Sequence, residues 1–191
     1  DFDIRRTDAL VDILPDILNP LIKEYNGVYN TNKLAGIGIS LHGIVNENHE
    51  LLYSPPTQIE LTPLLAMLKE NYHVPVFADN NANMAVLAEK SFTEYQSNLF
   101  CVTFSSGIGL GILLGDEVFR GFTGYAGEVG HMIIKKNGIE CRCGNKGCFE
   151  RYASDEMLKQ SLSSQNIKLY DYPDHASLKA DKKTKEIFDD Y

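Results

Sequence analysis

Apolar positions recur at helical spacing near the start of the chain, at Leu10, Ile13, Leu14, Ile17, Leu18, Leu21 and Ile22, which predicts a helix over Thr7 to Tyr25. Pro15 and Pro20 fall inside it. Each removes a backbone donor and crowds the preceding turn, so the expected element is a broken helix. Leu34 to Leu41 is apolar and β-branched, reads as a strand, and ends at His42-Gly43. Leu61 to Tyr72 predicts a helix and Val74 to Ala78 a short buried strand. A helix over Ala82 to Ser91 follows, started by Asp79-Asn80-Asn81, whose side chains can cap free backbone N–H groups. Leu99 to Phe104 and Leu110 to Leu114 read as strands around Ser105-Ser106-Gly107-Ile108-Gly109, and His131 to Lys135 as one more. Alternation of this kind predicts an α/β fold. Ser163 to Tyr191 is polar and charge-rich, with no clear core face.

Candidate chemistry is concentrated after the last of these strands. Cys141-Arg142-Cys143 and Cys148, with His131 upstream, form the Cys₃His donor set that tetrahedral zinc takes. Gly144 and Gly147 supply the tight turns such a short loop needs. The zinc ligands are therefore read as His131, Cys141, Cys143 and Cys148, with the carboxylates of Glu128 and Glu150 beside them. The remaining cysteine, Cys101, sits in an apolar run and reads as a buried free thiol.

Composition narrows the class. Four cysteines, three of them in one metal loop, are not a disulfide framework and suit a reducing cytoplasm. No apolar stretch approaches the roughly 20 residues that span a bilayer, so no membrane role is expected. A net charge of −8 repels phosphate backbones, so this segment by itself is not expected to hold nucleic acid.

Gly127-Glu128-Val129-Gly130-His131, followed by Cys141-Arg142-Cys143-Gly144-Asn145-Lys146-Gly147-Cys148-Phe149-Glu150, resembles the signature of the ROK family of repressors and sugar kinases. Gly36-Ile37-Gly38-Ile39-Ser40-Leu41-His42-Gly43 resembles that family's first inner strand, and Ser105 to Gly111 its glycine-rich turn. The resemblance covers roughly residues 34 to 154. It implies an actin-like (ribonuclease H-like) two-lobed α/β fold, truncated at both ends, with a first lobe over 1–92 and a second over 93–191. It also implies that Asn80, Asn81, Glu128, His131 and Glu150 contact a sugar, with His131 shared with the metal. Carboxylates accept hydrogen bonds from sugar hydroxyls, and a metal-bound imidazole has a second nitrogen to offer.

Departures from the family's kinase pattern decide the expected function. Kinases of the family carry Asn-Asp-x-Asn, whose Asp takes the proton from the sugar hydroxyl; this chain has Asn80-Asn81-Ala82-Asn83. A carboxamide cannot accept that proton, and loss of a positioned base costs about 10²–10⁴ in rate. Asp79 is two residues away, turned off the required direction. The family's Asp-Gly-Gly-Thr phosphate loop has no counterpart in the first 35 residues, whose single glycine is Gly27. The expectation is a non-enzymatic, cytoplasmic, homo-oligomeric sugar-sensing regulator, similar to the xylose-repressor branch. Its DNA-binding helix-turn-helix would lie outside this chain, and an ATP-dependent sugar kinase is the alternative.

Overall fold

The computed structural model describes residues 7–29, 34–48, 50–54, 60–94, 97–168, 175–182, 184, 185 and 187. The chain divides into two compact units: 1–84 with 120–125, and 85–119 with 126–191. The expected boundary near residue 93 lies past the first crossing, and it left out the return of 120–125 to the first unit.

In the first unit, helix α1 runs without a break over Thr7–Tyr29. The expected break at Pro15 and Pro20 is not there. Each proline forfeits one backbone bond, to the carbonyls four residues back, but Leu10, Val11, Leu14 and Leu18 pack together against Leu64, Leu68 and Val76. Packing of this partly buried stripe against those three residues holds the helix together where the two backbone bonds are missing. Strand β1 (Ile37–Leu41) pairs in parallel with β4 (Val76–Asn80), Ser40 lying opposite Asp79 and Leu41 opposite Asn80. The crossover that parallel pairing demands is made by the short hairpin β2 (Ile44–Val45) and β3 (Leu51–Tyr53) and by helix α2 (Leu61–Tyr72). Helix α2 has the predicted limits and ends on His73 in the left-handed conformation. Helix α3 (Asn81–Phe92) leaves the end of β4 directly.

In the second unit, β5 (Leu99–Phe104), β6 (Ile108–Leu114) and β7 (Glu117–Val118) form an antiparallel sheet in that order. The glycine-rich turn is thus a hairpin turn, closed by the Ser105 N–H donating to the Gly107 carbonyl at 2.9 Å. The strand expected at His131 to Lys135 is absent. Val129–His131 forms a single 3-10 turn, and the apolar residues after it are half exposed. Their backbone is engaged instead by the metal loop: Ile133 bridges Cys148, and Ile134 N–H donates to Gly147 O at 2.9 Å.

Helices α4 (Glu150–Ala153), α5 (Asp155–Ser164) and α6 (His175–Ala180) complete the described elements. The tail has a core face after all. Leu178 and Ile187 are buried with Leu158 and Leu162. Its buried positions are widely spaced and serve several short helical turns, so no single period exposed them in the sequence.

Candidate metal and ligand site

The site begins with two glycines laid against β6. A Cβ on Gly127 would stand 2.0 Å from the Leu110 carbonyl oxygen, and one on Gly130 would stand 2.2 Å from that of Ile108. Only hydrogen fits there. Gly127 also adopts φ +87, and its carbonyl accepts from Leu110 N–H at 3.2 Å. The close approach fixes the 3-10 turn that carries His131, with Glu128 immediately before it. Their side chains face each other, with Nε2 of His131 3.7 Å from Oε2 of Glu128.

From the other side, Nδ1 of His131 lies 3.6 Å from Cys141 Sγ and 3.7 Å from Oε1 of Glu150. Cys143 and Cys148 hold their sulfurs 3.6 Å apart. The donor atoms of His131, Cys141, Cys143 and Cys148 all lie within 4.8 Å of one another. A tetrahedral zinc, about 2.3 Å from sulfur and about 2.0–2.1 Å from nitrogen, separates sulfurs by roughly 3.8 Å and sulfur from nitrogen by roughly 3.6 Å. The quartet fits that requirement, and these four residues could hold a metal ion.

The loop is built to bring them there. Cys141 N–H donates to Asn145 O at 2.8 Å, Gly144 N–H returns to Cys141 O at 3.0 Å, and Gly147 N–H donates to Ile139 O at 2.8 Å. Gly147, at φ +88, presses on Lys135, whose carbonyl oxygen would lie 1.8 Å from a Cβ. Tyr152 receives the Ile139 N–H on its hydroxyl at 2.8 Å, and Arg142 spans both oxygens of Glu156 at 2.8 and 2.9 Å. These contacts attach the loop to α4 and α5.

Glu150, at the start of α4, accepts from the Cys141 thiol at 3.2 Å. Gly107 leaves the room: a Cβ there would be 2.9 Å from Oε2 of Glu150. Burial, joined by hydrogen bonds with Glu150 and the other two thiols, pushes the Cys141 thiol up to about 12, despite a backbone N–H from Cys143 that opposes it. Burial also raises Cys148, reinforced by Cys143. Cys143 is different: burial raises it, yet the Asn145 N–H and hydrogen bonds with Cys141 and Cys148 hold it below an ordinary thiol. Without a metal the cluster therefore keeps most of its protons. Glu128 is raised by burial, with His131 opposing and Glu150 adding to the rise.

In the first unit the predicted pair Asn80 and Asn81 separates into two roles. Asn80 accepts from Ala82 N–H at 2.8 Å and Asn83 N–H at 3.4 Å and donates to Gly43 O at 2.8 Å, so it caps α3 and holds the turn after β1. The Asn81 carboxamide has no hydrogen-bond partner among the described residues. Sequence reasoning missed Arg120, which donates to Asp79. Asp79 also accepts from Asn80 N–H at 2.7 Å and Asn83 Nδ2 at 3.0 Å. Nothing in the local pattern around Arg120 signals that partner.

Comparison with known proteins places this geometry in context. A family model described as the ROK family matches residues 4–190. The xylose repressor of Bacillus subtilis (strain 168) is 35% identical over 164 residues, covering 85% of this chain and 41% of the repressor. A glucokinase of Streptomyces coelicolor is 31% identical over 145 residues, covering 74% of this chain and 46% of the kinase. Among solved structures, a ROK family transcriptional regulator described as a homolog of the E. coli MLC protein matches with a TM-score of 0.70 at 28% identity. That match covers 86% of this chain and 42% of the regulator. The chain thus spans less than half the length of these relatives.

Proposed function

The chain belongs to the ROK family and has its actin-like α/β fold, and from that premise we propose that it is the effector-binding region of a sugar-responsive transcriptional repressor. The observation that carries this reading is Asn81. It opens α3 at the position where kinases of the family hold a catalytic Asp, and a carboxamide can hydrogen-bond a hydroxyl but cannot take its proton. The nearest carboxylate, Asp79, is 3% exposed and engaged by Arg120, Asn80 and Asn83, so it is no substitute.

In this reading Glu128, His131 and Glu150 accept hydrogen bonds from, or donate them to, the hydroxyls of a monosaccharide. Asn81 offers its carboxamide to a ligand hydroxyl, and Asn80 serves by holding the start of α3. His131, Cys141, Cys143 and Cys148 would hold zinc, which when bound fixes the loop and the His131 ring. DNA would be contacted by a helix-turn-helix outside this chain.

The test uses full-length protein and a panel of pentoses, hexoses and amino sugars. A ligand bound only by the native state raises the melting temperature by mass action. One or more sugars should do so, Glu150→Gln should abolish the shift while keeping its zinc, and no sugar should release ADP from ATP. No shift with any sugar refutes the effector reading. The second reading, a sugar kinase, is favoured by the 31% identical glucokinase, and turnover at the rate of family kinases would establish it.

A further inference from the structure

We propose that Cys143 and Cys148 form a peroxide-sensitive pair, whose oxidation to a disulfide expels the metal from the loop. Three observations single out this pair among the thiols. Their sulfurs already lie 3.6 Å apart. Cys141 is within reach of both thiols as well, but its sulfur donates to Glu150 at 3.2 Å and lies 3.6 Å from His131. Cys143 is also the accessible member: it is half-buried, whereas Cys148 is 0% and Cys141 8% exposed.

The chemistry balances with hydrogen peroxide as the oxidant. The Cys143 thiolate attacks one peroxide oxygen, the O–O bond breaks, and hydroxide leaves with a solvent proton as water, giving a sulfenic acid. The Cys148 thiolate then attacks that sulfur, the S–O bond breaks, and a second hydroxide leaves as water by taking a second solvent proton. Two electrons pass from the two sulfurs to peroxide. Closing the bond to about 2.05 Å needs the sulfurs to approach by roughly 1.5 Å. Afterwards only His131 and Cys141 remain as ligands, fewer than the three or four protein ligands zinc takes, so the ion leaves. Any accompanying loss of sugar affinity rests on the effector reading above; disulfide formation and metal release do not.

Full-length, zinc-loaded protein is treated with hydrogen peroxide, released zinc is read with a chromogenic chelator, and disulfides are mapped by mass spectrometry without reduction. The expected result is loss of about one zinc per chain, in step with a peptide linking Cys143 to Cys148, reversed by dithiothreitol and added zinc. Cys101→Ser should respond as wild type. Failure to load zinc, retention of zinc with intact thiols, release with Cys143 overoxidised, or a disulfide through Cys141 would each overturn the proposal. A protein that oxidises as expected but shows no sugar shift even before treatment refutes the effector reading alone.

Discussion

Arg120 donates to Asp79 across 41 residues of sequence, joining the segment after β7 to the end of β4 inside the first unit. Asp79 is nearly inaccessible, with 4% of its side chain exposed, and Arg120 has 17%. A carboxylate buried this deeply needs its counter-charge. Arg120→Ala should therefore cost about 3–5 kcal/mol, the price of leaving a buried charge unpaired. Urea denaturation measures it. A loss under about 1 kcal/mol, the level of an exposed pair, would contradict the role assigned to Arg120.

One glycine against β6 and another in α1 predict opposite outcomes for one chemical change. Gly130→Ala places a Cβ 2.2 Å from the Ile108 carbonyl oxygen. Backbone has to move, and overpacking of this kind costs about 1–3 kcal/mol or more. Gly27→Ala adds a methyl inside α1 with nothing within 4 Å. It should stabilise by about 0.5–1 kcal/mol through helix propensity. Thermal melts of the two variants should move in opposite directions.

Metal uptake should release protons. In the metal-free protein burial holds Cys141 up to about 12 and raises Cys148, so at pH 7 both are thiols, while the metal takes thiolates. Binding should release about two or more protons per zinc. Titration calorimetry in buffers of different ionisation enthalpy reads this directly, and a heat independent of buffer would refute it. Zinc affinity should rise with pH for the same reason.

Loss of one ligand tests the link between metal and pocket. Cys143→Ser should empty most of the zinc and weaken sugar binding by about 10–100-fold. Cys101→Ser, on β5 away from the quartet, should leave zinc content unchanged. A Cys143→Ser protein without zinc that binds sugar normally would remove His131 and Glu150 from the proposed ligand set.

Glu128 predicts a stability that depends on pH. Burial raises its folded pKa above the unfolded value, so ionisation is disfavoured in the fold. The wild-type side chain contributes fully at low pH, and that contribution is lost as pH rises through the folded pKa. Glu128→Gln should thus be more stable than wild type at neutral pH, with the difference vanishing below about pH 4, where both states of the wild type are protonated. The same variant should lose the sugar-induced shift. Melts across pH in the presence and absence of sugar check both parts.

Local periodicity and spacing, by themselves, determined helix α2 over Leu61–Tyr72 and strand β5 over Leu99–Phe104. They also determined which four residues could meet a metal, because a run of Cys-x-Cys and a third Cys with glycines between leaves few ways to fold. Such signals are carried within a few turns of chain, so they are legible before any packing is known. Tertiary structure decided the rest. Helix α1 stays whole through Pro15 and Pro20 because its partly buried stripe packs against α2 and β4. The apolar run after His131 is no strand because the metal loop takes its hydrogen bonds. Leu178 and Ile187 become core only once α5 offers Leu158 and Leu162. The division of labour between Asn80 and Asn81, and the pairing of Asp79 with Arg120, likewise depend on partners distant in sequence, such as Gly43. Burial and ion pairing reward contacts between segments far apart in the chain, and no local pattern records where those segments meet.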